Sequence, residues 1–207
     1  MYYDQKDPWA KNINYYQTYK PTGQVTKPKA YVIPQAWSEV VAKLKLNQVQ
    51  MRQVTQDTSL AADVYFISDY KTYPRPYEGH YLHHQVTVRT EKQILKLMKG
   101  DYLVYLNQSA NRYVIETLEP QALDSYFSWG FFDAILQQKE YFSDYVFEDL
   151  AAALLKKDAG LRQRYEEWKK QNPELTKNAQ AHLNFIYLHS PHYEKTHLRY
   201  PIARIPE

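Results

Sequence analysis

Between Leu60 and Leu106 the chain concentrates β-branched and aromatic residues, which commits its middle section to sheet. Runs at 62–67, 81–89, 94–98 and 102–106 each read as strands. Tyr73-Pro-Arg-Pro-Tyr-Glu-Gly79 is the long irregular connection between the first two, and Lys99-Gly100-Asp101 is a hairpin-like turn between the last two. The section is expected to be mainly antiparallel.

The flanks carry other periods. Ala30-Tyr-Val-Ile33 is a short apolar run ended by Pro34; Trp37, Val40, Val41 and Leu44 follow at helical spacing, and Asn47 closes that helix. Residues 49–54 then alternate as a strand does, so the spacing predicts a strand-helix-strand crossover with a parallel pair. No Gly-rich turn follows the first strand, which removes the phosphate cradle and with it the expectation of a nucleotide cofactor. After Leu106, helical stripes are expected at 109–118 and at 144–157, the latter capped by Ser143. Leu161, Tyr165 and Trp168 mark a charged surface helix, and Asn172-Pro173 starts another that continues through Leu175, Ala179, Leu183 and Ile186. Residues 200–205 return as a last strand. The expectation is an α+β fold, or α/β with a mixed sheet, forming a single domain over residues 29–207.

Residues 1–28 show no period and read as an extended arm or interdomain linker, with Tyr2, Tyr3, Tyr15, Tyr16 and Tyr19 set among Lys, Asn, Gln and Pro. Tyrosine is the compositional outlier, 21 of 207 residues, and a phenol suits half-wet surfaces because its ring buries while its hydroxyl stays hydrogen-bonded. The 26 basic and 23 acidic side chains are spread evenly, so no basic stripe argues for nucleic acid. No apolar run approaches the roughly 20 residues that span a bilayer. The first residues lack the apolar core of a signal peptide, so any export signal is expected upstream. With no Cys, thiolate metal sites and disulfides are excluded.

Three constellations could carry chemistry. Glu78, His80, His83 and His84 place four metal-ligating types in seven residues. On a strand, however, His80 and His84 share one face and His83 takes the other, which argues against a tetrahedral site. Glu116, Glu119 and Asp124 lie near Arg112; paired carboxylates can do acid-base work, but capping and salt-bridging are the expected roles. Ser125-Tyr-Phe-Ser-Trp-Gly-Phe-Phe132 packs five large rings into eight residues, to fill the core or to offer a patch to a partner. No Gly-x-Ser-x-Gly elbow exists, and Asn107-Gln-Ser-Ala110 is only a distant imitation. No catalytic, cofactor-binding or metal-binding residue is assigned.

Several strings resemble the region that follows the peptidase domain in large bacterial zinc carboxypeptidases, relatives of carboxypeptidase A. They are Lys27-Pro-Lys-Ala-Tyr-Val-Ile-Pro34, Arg75-Pro-Tyr-Glu-Gly-His-Tyr-Leu82, Gly100-Asp-Tyr-Leu-Val104, Ala110-Asn-Arg-Tyr113, Glu116-Thr-Leu-Glu-Pro-Gln-Ala122, Trp129-Gly-Phe-Phe-Asp133 and His197-Leu-Arg-Tyr-Pro201. The resemblance covers about 180 residues. It implies a parent that removes C-terminal residues from peptides outside the cytoplasm, in the periplasm or secreted, with zinc-activated water. The family's His-x-x-Glu zinc pair is missing, because none of the seven His has Glu three places on. The resemblance therefore implies a C-terminal accessory domain that packs on a peptidase domain outside this chain, where the zinc is expected. An independent peptide- or cell-wall-binding module is the alternative, and a freestanding hydrolase built on Glu116, Glu119 or the His80 to His84 cluster comes third.

Overall fold

A computed structural model describes residues 4–21, 23–138 and 141–207. Tyr2 and Tyr3 of the tyrosine-rich arm lie outside the described residues. The strands are β1 (Ala30–Ile33), β2 (Arg52–Gln53), β3 (Thr58–Thr72), β4 (His83–Leu97), β5 (Tyr102–Tyr105) and β6 (Ala203–Ile205). The helices are α1 (Ser38–Leu46), α2 (Asn111–Leu118), α3 (Asp144–Lys157), α4 (Ala159–Gln171) and α5 (Ala179–Leu188). They make an α+β fold around one six-stranded sheet, ordered β2-β5-β1-β6-β3-β4, in which every pairing is antiparallel.

The strand-helix-strand start is present, but its strands are not neighbours. Both β1 and β2 pair antiparallel with β5, which lies between them, so they run parallel without sharing a hydrogen bond. The turn at Lys99-Gly100-Asp101 also forms, with Asp101 N–H donating to the Met98 carbonyl at 3.1 Å. It does not make a hairpin, because three strands separate β5 from β4 at the sheet edge. The runs at 81–89 and 94–98 join into β4, whose pairing with β3 extends from Thr58 opposite Leu97 to Thr72 opposite His83. The C-terminal segment inserts centrally, β6 pairing with both β1 and β3.

Strand alternation gives the sheet two apolar faces. Tyr31, Ile33, Tyr65, Ile67 and Val104 meet Val40, Val41 and Leu44 of α1 and Val114 and Leu118 of α2, with Tyr126, Phe127 and Phe132 filling between. Val32, Ala62, Val64, Leu97 and Ala203 cluster on the other face. Helices α3, α4 and α5 hold a separate core of Phe147, Ala151, Leu161, Ile186 and Tyr187.

Helix ends account for the remaining differences. Ser143 precedes α3, yet its side chain makes no capping bond. Asn172 ends α4, donating through Nδ2 to the Trp168 carbonyl at 2.9 Å, and a short 3₁₀ turn follows at Leu175–Lys177. The cap of α5 is Asn178, whose Oδ1 accepts from Gln180 N–H at 2.9 Å. Residues 4–21 contain neither helix nor strand, and Tyr15, Tyr16 and Tyr19 are exposed.

Candidate functional site

The β3–β4 connection and the aromatic run converge on a groove of about 820 Å³. His83, at the first position of β4, is buried and forms its floor. Its Nε2 lies 3.0 Å from Asp133 Oδ1 and its Nδ1 2.8 Å from Thr72 Oγ1. The carboxylate accepts only, so Nε2 donates to Asp133, and the Thr72 hydroxyl is the partner of Nδ1. The backbone repeats this anchoring, since His83 N–H donates to the Ser128 carbonyl and Ser128 Oγ donates to the His83 carbonyl at 2.7 Å. The loop 125–133 is thereby tied to the neck of the β3–β4 ribbon. Gly130 makes the close return possible, with φ +78° and Asp133 Oδ2 only 3.2 Å from where a Cβ would stand.

Above this floor the walls are rings. Trp129 is half-buried; His80 meets it edge-on at 5.5 Å, Tyr77 meets it at a tilt at 6.1 Å, and Tyr81 lines the same groove. Trp129 Nε1 donates to Asp124 Oδ1 at 3.3 Å, which fixes the indole and gives Asp124 its partner. An adjoining apolar cleft of about 440 Å³ is lined by Tyr73, Pro74, Arg75, Tyr77 and Leu82. The aromatic run thus divides: Tyr126, Phe127 and Phe132 serve the core, while Trp129 faces the groove.

The histidine cluster disperses. His80 turns to Trp129, His83 inward to Thr72 and Asp133, and His84 stacks on Tyr73 at 4.1 Å; Glu78 is exposed on the connection. Among the described residues no three His, Cys, Asp or Glu side chains are grouped to hold a metal ion. The described residues therefore offer no set of three ligands for a catalytic zinc.

The acidic cluster also divides. Arg112 pairs with Glu116 across one helical turn at 3.8 Å. Glu119, just past α2, is 1% exposed; its Oε1 accepts from the Tyr31 hydroxyl at 2.5 Å and lies 3.0 Å from Arg204 Nε. Arg204 donates through Nη1 to the Tyr65 hydroxyl at 2.5 Å and through Nη2 to the Thr26 carbonyl of the arm. Burial pushes the Glu119 carboxyl above its ordinary value, against the pull of Tyr31 and Arg204. Burial raises the Tyr31 phenol and carries Tyr65 up to about 12, with the Glu119 charge adding to both. Glu119 also lines a cavity of about 430 Å³ bounded by Lys20, Pro21, Gly23, Gln24 and Val25 of the arm. Arg204 was not singled out from sequence; an arginine alternating with Ala203 and Ile205 on a short strand was the available signal.

Comparison with known proteins gives a partial relationship. The chain is 28% identical over 109 residues to Carboxypeptidase 2 from Trichophyton tonsurans, and equally so to Carboxypeptidase 2 from Trichophyton equinum and Trichophyton rubrum. That stretch is 51% of this chain and 19% of each relative, so the match spans about a fifth of the length of the curated relatives. No family model matches the chain, and no solved structure matches it. The chain thus carries a region similar to part of a carboxypeptidase. Among the described residues no helix is long and apolar enough to cross a membrane.

Proposed function

We propose that this chain is the accessory region of a carboxypeptidase-type polypeptide, packing on and supporting a peptidase domain outside it. The observation that carries this reading is the unequal coverage: the matched stretch takes in half of this chain but a fifth of each carboxypeptidase. Peptide cleavage and its zinc belong to the absent domain in this reading, and its place is extracytoplasmic. The dispersal of His80, His83 and His84 agrees with that division of labour, because their rings meet three different sets of neighbours. Immunoblotting of source cells with antibody against this chain, followed by intact mass, is the test. A native species several times larger than 24.7 kDa is expected, and a product of about that mass overturns the reading.

The groove at Trp129 favours a second reading, an independent module that binds peptide or cell-wall material. Rings with a polar rim of Asp133 and Glu39 are the form such a site takes. Trp129→Ala separates the two. Lost peptidase activity in the longer polypeptide supports the accessory role, whereas lost ligand binding with activity intact supports the module.

A further inference from the structure

Where the segment 194–201 leads into β6 it walls a cleft of about 570 Å³. The floor is apolar: Val32 of β1, Val64 of β3, Leu95 of β4 and Ala203 of β6. Residues of the turns at 34–37 and 134–137 complete the lining. A concave, mostly apolar space of this volume has the size of a site for a small organic molecule, and the few polar groups around it decide which kind.

Five ionisable side chains at this cleft are unequally engaged. Asp101 accepts from Gln35 N–H at 3.0 Å and from Met98 N–H at 2.8 Å. Glu194 accepts from the Thr196 hydroxyl at 2.5 Å, and the Lys96 ammonium lies 3.7 Å from Asp57. The side chains of His197 and Arg199 are half-buried and have no hydrogen-bond or ion-pair partner among the described residues. A guanidinium only donates, so the unused polar capacity beside the apolar floor is a fork of donors carrying a fixed positive charge.

The backbone holds this pair in place. Leu198, between them, has φ +59°, in the left-handed region that a non-glycine residue seldom adopts. Its N–H donates to the Ile135 carbonyl and its carbonyl accepts from Ile67 N–H, each at 2.9 Å, while its side chain packs on the α1–α2 core. Arg199 pairs with Phe66, a residue of the Val32–Val64–Ala203 face, so its side chain leaves the backbone on that face. Strained backbone fixed by hydrogen bonds on both sides is a mark of side chains held for a purpose.

We propose that this cleft binds an organic carboxylate with an apolar body, its head group on Arg199 with His197 beside it and its body on the floor of Val32, Val64 and Leu95. The two oxygens of a carboxylate match the guanidinium fork. A cationic head group would meet the Arg199 charge, and an uncharged molecule would cover the guanidinium without giving it a partner. The cleft shares no lining residue with the Trp129 groove, and the inference does not depend on the accessory-region reading.

Isothermal titration of the 207-residue chain with octanoate, octanol and acetate tests this. Octanoate is expected to bind at one site per chain, about tenfold or more tighter than octanol, which lacks the charge, or acetate, which lacks the body. Arg199→Met keeps the aliphatic stem and should weaken octanoate about tenfold while leaving octanol unchanged, and Arg199→Lys should recover part of the loss. Leu95→Trp fills the cleft from β4 without touching the charge and should abolish octanoate binding with the circular dichroism unchanged, which keeps the proposal testable if Arg199→Met does not fold. Octanol binding as tightly as octanoate overturns the proposal. So does octanoate binding that either Arg199→Met or Leu95→Trp leaves unchanged, and so does the absence of octanoate binding at millimolar concentration.

Discussion

Arg204 Nε stands 3.0 Å from Glu119 Oε1, with the two side chains 12% and 1% exposed. The pair joins the end of α2 to the central strand β6, and Asp63 of β3 lies directly opposite Arg204 in register. Asp63 Oδ1, Glu119 Oε2 and Arg204 Nε lack a hydrogen bond of good geometry, and the Tyr65 hydroxyl gives Glu119 a looser contact that favours its ionised form. The network is therefore costly to bury and costlier to break.

Arg204→Met leaves Glu119 as an uncompensated buried carboxylate and should destabilise the chain by about 3 kcal/mol or more. Replacing both partners, with Glu119→Gln added, should cost less than the sum of the single changes. Urea unfolding of the three variants reads this; strict additivity would deny the coupling.

Glu119 also predicts a pH dependence of definite sign. Its folded value is raised above the ordinary 4.5, so just above that pH the folded state holds a proton that the unfolded chain has released. Stability from this group is present below 4.5 and declines as pH rises through the raised folded value. Relative to Glu119→Gln, the wild type should lose stability across that window, and unfolding midpoints measured from pH 4 upward would show it.

At alkaline pH four phenols act together. Tyr31, Tyr65, Tyr126 and Tyr200 are all raised, chiefly by burial, from an ordinary 10.0. Their protons remain in the folded state while the unfolded chain loses them, so stability falls above pH 10, at about 1.4 kcal/mol per pH unit for each phenol. The contribution of Tyr65 ends near 12. Absorbance of tyrosinate should rise in two stages, the second coinciding with cooperative unfolding.

Gly100 has φ +105°, and a Cβ there would come within 2.5 Å of Gln35 Oε1. Gly100→Ala should cost about 1–3 kcal/mol, the strain of a left-handed backbone being the larger share because the Gln35 tip can move. Thermal unfolding of the variant measures it.

His83→Ala removes both the Asp133 and the Thr72 contacts from a buried position and should cost about 2–4 kcal/mol. Loosening of the 125–133 loop should appear as a red shift in Trp129 emission, resolved in a variant with the other three tryptophans replaced by Phe.

What the sequence determined is local. Periodicity located α3 over residues 144–157, and Val40, Val41 and Leu44 marked the buried side of α1, because burial of one stripe leaves a 3.6-residue record. The β-branched runs located the strands for the same reason at period two. What the sequence left open is partnership. Lys99-Gly100-Asp101 makes the same turn whether or not its flanking strands pair, so the expected hairpin between the last two runs could not be told from the true arrangement, with β4 and β5 well apart in the sheet. Direction along β1 and β2 was legible, but the insertion of β5 between them was not, since a strand's pattern records which face is buried and not which edge is shared. Asn172 before Pro173 suits a helix start as well as the helix end it proves to be, because its amide can serve either terminus. Tyr31 and Glu119 lie 88 residues apart, and only the chain's return as β6 between β1 and β3 brings Arg204 to them. Local chemistry wrote the elements into the sequence. Which of them meet was decided in three dimensions, where packing both faces of one sheet selects among pairings that local sequence permits equally.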